Sequence, residues 1–197
     1  MAIEGHACEE REQMAERGFE GSDVETATSK SGARKRICVL CVGNKLMLDD
    51  GIGPAVYEEL MENYDLPDNV DVFDVGCLGM DMISWVGDYD FFISVDAVDG
   101  TDAEPGEVFR YAPDDIARHS GPVTSLHEMK LADLFDAASL LGLQSEGVCY
   151  GMQVENMSPA EFTVGLTPRV FERLPYLTEC VVAELDRQGC PLSPKRA

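Results

Sequence analysis

Basic side chains are scarce in this chain of 197 residues. Fifteen lysines and arginines stand against 37 acidic residues, which gives a formal net charge of −22. Nucleic acids and anionic membranes are bound through basic surfaces, so this composition argues against either as the main partner. No apolar run approaches the roughly 20 residues of a membrane span, and the first residues lack the apolar stretch of a secretory signal. We therefore expect a cytoplasmic protein.

Several common catalytic motifs are also missing. The turn at Gly43-Asn44 continues as KLML, which matches neither G-x-G-x-x-G nor a P-loop, so nucleotide binding has no support. The chain contains no G-x-S-x-G nucleophile elbow, which argues against a serine hydrolase.

The seven cysteines are an odd number and do not follow the spacing of a small disulfide scaffold. We expect reduced thiols, as is typical of a cytoplasm. Cys38-x-x-Cys41 lies inside an apolar strand, where residues three apart point to opposite faces. We therefore predict that both pack in the core and do not form a redox or zinc pair.

Composition changes along the chain define its organisation. Residues 1–34 are polar with few large apolar side chains, which predicts a disordered tail. Residues 35–190 form the predicted domain, and residues 191–197 are expected to be a flexible C-terminus. Residues 1–36 carry eight acidic and six basic side chains, so the remainder carries nine basic against 29 acidic residues, a charge of −20. The acidity therefore belongs to the folded domain.

Strand and helix patterns alternate within this domain. Strands are predicted at 37–42, 70–75, 91–95, 107–111 and 147–154. Helices are predicted from Pro54, through 82–86, over about 130–141, and over 167–188. This alternation predicts a single three-layer α/β domain, with a mostly parallel twisted sheet and helices on both faces.

Polar residues collect where the predicted strands end. In a parallel sheet the site lies outside the carboxyl ends of the strands. The residues expected at this edge are Asp49, Asp50, Asp74, Cys77, Asp96, Asp99 and, from the loop before a helix, His127. Aspartate and histidine together suit a divalent metal or general acid–base catalysis on water.

Each of these residues also has a structural interpretation. Asp49 or Asp50 can cap the helix that follows, Asp96 can be a turn residue, and His127 can be an ordinary loop histidine. Cys77, which lies in a loop flanked by glycines, can be structural. Their expected convergence on one edge favours a site.

The ordered set of motifs resembles the nickel–iron hydrogenase maturation endopeptidases, over roughly residues 36–188. The segments that carry the resemblance are VGNKLMLDDGIG at 42–53, DVGCLG at 74–79, DAVD at 96–99, PG at 105–106, SLHE at 125–128 and GLTP at 165–168.

The resemblance implies an endopeptidase that removes a C-terminal peptide from the precursor of a nickel–iron hydrogenase large subunit. It implies that nickel carried by the substrate is the recognition element, and that Asp50, Asp96 and His127 are both its ligands and the catalytic residues. The chemistry would be that of an aspartic-type or a metal-assisted peptidase. A monomer fits such a strongly charged domain.

Two positions depart from the family pattern. Many relatives have Glu at the position of Asp50, and a Thr is common where Cys77 stands. The shorter carboxylate changes the reach of a ligand, and a thiol can bind nickel as a soft ligand. Two alternatives stay open, a non-catalytic metal-sensing chaperone or scaffold for hydrogenase assembly, and a peptidase of the same fold that acts on an unrelated precursor.

Overall fold

The apolar run Ile37–Val42 forms β1, and all six of its side chains are buried. In the computed structural model β1 has a parallel neighbour on each side, as expected for a strand without polar positions. The structure describes residues 34–76, 80–112, 131–143 and 145–196, without the side chains of residues 80, 81, 131–133 and 135. Of the predicted tail at 1–34, all but Arg34 lies outside the described residues, as do Cys77 and His127.

The main sheet has five strands in the order β3-β1-β4-β6-β5. Its other strands are β3 (Val70–Gly76), β4 (Phe91–Val98), β5 (Val108–Tyr111) and β6 (Glu146–Gln153). Only β5 pairs antiparallel, against β6. The prediction of an α/β domain with a mostly parallel sheet is confirmed.

Helices cover both faces of this sheet. The helices α1 (Ile52–Asn63) and α3 (Pro168–Arg187) pack on one face. On the other face lie a 3₁₀ helix, Met80–Gly87, and α2 (Leu131–Leu140). The predicted helix through 82–86 is therefore wound as 3₁₀. Within the described residues, no helix combines the length and apolarity needed to cross a membrane.

The end of the described chain contacts the end of α1. Strand β7 (Ser193–Pro194) pairs antiparallel with β2 (Tyr64–Asp65), and Lys195 N donates to Asn63 O at 2.7 Å. Residues 193–195, for which we predicted a flexible C-terminus, thus have defined backbone partners. The apolar sequence pattern gave no sign of this contact because it depends on backbone groups.

The cysteines of β1 lie where alternation places them. Cys41 packs in the core under α1 and α3, whereas Cys38 packs under the 3₁₀ helix. Burial, with the charges of nearby acidic residues, raises the pKa of both thiols far above the usual range. This agrees with a packing role and does not favour a redox or zinc pair.

Candidate active site

The sheet changes winding direction between β1 and β4. From β1 the chain passes through α1 to β3 on one side, whereas β4 lies on the other side of β1. A crevice therefore opens at the carboxyl ends of β1 and β4, where ligands bind in open α/β sheets.

Asp50 lies at this crevice, on the 3₁₀ turn Leu48–Gly51 that follows β1. Its side chain is only 2% exposed. Its carbonyl oxygen accepts a hydrogen bond from Asn44 N at 3.1 Å. A Cβ at Gly43 would lie 2.0 Å from that oxygen, and the φ of Gly43 is +141°. A glycine is therefore required at position 43 for the chain to turn closely enough to hold Asp50.

Asp96 reaches the same edge from β4. We predicted that it follows the strand, but β4 continues to Val98, so Asp96 lies within it opposite Gly151. Its carboxylate is partly buried and accepts a hydrogen bond from Ala97 N at 2.8 Å. Burial, the Cys149 thiol and the charge of Asp96 together raise the pKa of Tyr111. Asp96 therefore faces the sheet side covered by α2.

The 3₁₀ turn that carries Asp50 contacts β4, the strand that contains Asp96. A Cβ at Gly53 would lie 2.0 Å from Val42 O and 2.8 Å from Val95 O. The first turn of α1 thus rests on the backbone of β1 and β4 toward their carboxyl ends, at one corner of the sheet, three residues after Asp50. Two carboxylates in such a corner can provide oxygen ligands for a divalent cation or a base for water.

His127, the third predicted site residue, lies outside the described residues. In the part of the chain that is described, no group of three histidine, cysteine or acidic residues is arranged to hold a metal. Helix α2 begins four residues after His127 and leads into β6, parallel to β4.

The neighbouring carboxylate, Asp49, has a structural role that differs from the predicted one. Neither Asp49 nor Asp50 caps α1, whose N-cap residue is Gly51. Asp49 is fully buried and accepts hydrogen bonds from Thr167 N at 2.6 Å, Thr167 Oγ1 at 3.0 Å and Asn156 N at 2.9 Å. A fourth bond comes from Glu155 N at 3.2 Å. Asp49 therefore fixes residues 155–167 against the loop that carries Asp50.

Two other carboxylates predicted at this edge, those of Asp74 and Asp99, also form ion pairs or hydrogen bonds within the protein. Asp74 forms an ion pair with Lys45 Nζ at 2.9 Å, and Lys45 also pairs with Glu58. These hydrogen bonds raise the pKa of Lys45. Asp99 accepts a hydrogen bond from Gly100 N at 2.7 Å, as a turn residue does. The sequence did not predict the ion pair of Lys45 with Asp74 or the contact of Thr167 with Asp49, because both join residues that are far apart in the chain.

The comparisons with known proteins agree on one family. Residues 54–184 match the family model described as hydrogenase maturation protease. The hydrogenase 2 maturation protease of Escherichia coli is 31% identical over 163 residues, which is 82% of this chain and 98% of the relative. A putative hydrogenase maturation protease of Methanocaldococcus jannaschii is 30% identical over 78% of this chain and 99% of its own length.

Comparison with solved structures identifies the same family. The structure of the hydrogenase maturating endopeptidase HybD from Escherichia coli matches with a TM-score of 0.72 and 30% identity. The match covers 81% of this chain and 98% of that structure. The chain belongs to the hydrogenase maturation protease family.

Proposed function

We propose that this protein removes a C-terminal peptide from the nickel-loaded precursor of a nickel–iron hydrogenase large subunit. Membership of the hydrogenase maturation protease family supports the endopeptidase role in hydrogenase maturation. The observation that supports the finer proposal is that the buried Asp50 lies on a turn that contacts β4, the strand that contains Asp96.

In this proposal Asp50, Asp96 and His127 bind the nickel that the precursor carries. Carboxylate oxygens and an imidazole nitrogen make a hard to borderline donor set, and imidazole is among the ligands that suit nickel. The metal is part of the substrate, so an unloaded precursor lacks the group that these residues recognise. The acidic domain, with its charge of −20 outside residues 1–36, favours a cationic partner surface.

The cleavage step then follows from the position of the carboxylates. Nickel held in the corner brings the scissile peptide bond beside them. One carboxylate accepts a proton from a water molecule, whose oxygen adds to the peptide carbonyl carbon. The C–N bond breaks, and the departing nitrogen receives the proton that the carboxylate took from water. The aspartates thus act both in recognition and as a base.

The first experiment measures the mass of a purified precursor over time, with nickel-loaded and nickel-free forms side by side. The proposal predicts that the loaded form alone loses a C-terminal peptide. Stable binding without a change in mass would favour the alternative of a non-catalytic chaperone or scaffold. Cleavage of both forms would refute the role of nickel in recognition.

Substitutions test the assignment of the residues. His127→Ala and Asp96→Asn should each abolish cleavage without unfolding the protein. Asp102→Asn is a matched control, because it removes one exposed carboxylate charge six residues from Asp96. Normal processing by either site variant would remove that residue from the proposed site.

A further inference from the structure

The short segment 162–164 runs beside the loop that carries the candidate site. Thr163 forms a parallel β-bridge with Met47. Leu48 N donates to Thr163 O at 2.8 Å, and Thr163 N donates to Leu46 O at 2.9 Å. Three residues after Met47 the same loop reaches Asp50. The segment is therefore attached by its backbone to the loop that carries the site.

The other edge of this segment is open. In a strand, the backbone groups of successive residues face opposite sides, and Thr163 uses its own groups on the Met47 side. In the ranges that the structure describes, the N–H and C=O groups of Phe162 and Val164 take part in no hydrogen bond. An edge with unpaired backbone donors and acceptors is a template for another extended chain.

Apolar side chains flank this open edge. Phe162 is 80% exposed and Val164 is 75% exposed, and Leu46 across the bridge is also exposed. Strand addition obtains affinity from main-chain hydrogen bonds and specificity from contacts with alternate side chains. Phe162 and Val164, two residues apart, offer both main-chain hydrogen-bonding groups and exposed apolar side chains.

We propose that an extended stretch of the protein substrate, next to the bond that is cut, pairs with the open edge at Phe162–Val164. This inference rests on the proposed function, because its occupant is the large-subunit precursor. A three-residue edge is far too small for the about 1,200 Å² of a stable protein interface, which argues against a second copy of this chain. A substrate already held through its nickel needs only orientation, and a short edge is enough for that.

The side-chain contribution is tested by cleavage kinetics on the nickel-loaded precursor. Phe162→Ser should raise KM about tenfold with the same product mass, as expected when an exposed aromatic anchor is removed. Leu140→Ser is the matched control. Leu140 is 89% exposed, and it ends α2 on the approach to the opposite, amino-terminal edge of β6. A KM within twofold of the wild-type value for Phe162→Ser would overturn the proposal.

The backbone contribution is tested by comparing Val164→Pro with Val164→Ala. Proline is tolerated on an edge strand but removes the N–H group. Both variants lose most of the valine contact, so a KM at least threefold higher for proline than for alanine reports the lost hydrogen bond. Equal KM values, with thermal unfolding unchanged in both variants, would refute strand pairing. Failure of the wild-type protein to cleave the precursor would instead refute the proposed function.

Discussion

Asp49 and Asp50 are adjacent and both buried, yet we expect different effects when each is replaced. Loss of Asp49 should lower the stability of the fold, whereas loss of Asp50 should abolish cleavage. Asp49 accepts four hydrogen bonds, three of them from backbone N–H groups of residues 155, 156 and 167. At about 1 kcal/mol net for each bond, Asp49→Ala should cost about 4 kcal/mol of folding free energy. A domain of this size is stable by about 5–15 kcal/mol, so the variant should still fold.

Asp49→Asn should cost less than Asp49→Ala but still more than about 1 kcal/mol, although it keeps the shape of the side chain. Oδ1 accepts from Thr167 N, and Oδ2 accepts from the N–H groups of Glu155 and Asn156. Either orientation of the asparagine amide therefore turns its NH₂ group toward a backbone donor. Asp50→Asn is the adjacent comparison, for which the proposed function predicts a loss of cleavage.

Urea unfolding at pH 7 measures these differences. With a slope of about 2 kcal/mol/M, a loss of 4 kcal/mol lowers the midpoint by about 2 M. Thr167→Val removes the single hydroxyl bond to Asp49 and should cost about 1 kcal/mol. An Asp49→Ala protein within 1 kcal/mol of the wild type would show that this carboxylate does not fix the 155–167 segment.

Three further predictions concern the rest of the fold. Burial raises the pKa of Glu184, but hydrogen bonds from Arg110 and Gln188 outweigh it, so the pKa lies below the ordinary glutamate value of 4.5. The ionised Glu184 should make the wild type more stable than Glu184→Gln, as measured by urea unfolding. This difference in unfolding free energy should be fully present above pH 4.5 and should decline as the pH falls through the folded pKa. Gly53→Ala should cost more than about 3 kcal/mol by the same assay, because its Cβ meets two backbone carbonyls, and soluble protein of wild-type stability would contradict this. Cys38 should resist iodoacetamide at pH 8 in the native protein and react after unfolding, as mass spectrometry of its peptide will show, because burial raises its pKa.

The fold could be predicted from the sequence because its signals are local. An unbroken apolar run identified β1 as a strand with both faces buried, and the alternation of strands with helices identified the parallel sheet. Boundaries were less certain. The predicted third strand stopped at Val95, because an aspartate at position 96 looks like a strand end, whereas pairing with β6 carries β4 on to Val98.

The site could be predicted in part. Topology predicted that Asp50 and Asp96 approach the same edge; the structure has Asp50 on the turn after β1 and Asp96 within β4, and their role in a site stays a prediction. The role of His127 stays a prediction. The sequence could not separate Asp49 from Asp50, because the donors that bind Asp49 lie 106–118 residues further along the chain. Contacts at that separation follow from the completed fold, and no local pattern of residue types encodes them.

The same long-range contact links the two parts of the proposed substrate site. Asp49 holds Thr167 and Asn156, and the segment between them contains Phe162 and Val164. The Met47–Thr163 bridge attaches the middle of that segment to the Asp50 loop. A loss of Asp49 should therefore raise KM through the open edge as well as lower stability. Phe162→Ser should raise KM alone, because its side chain is exposed and stabilises no part of the core.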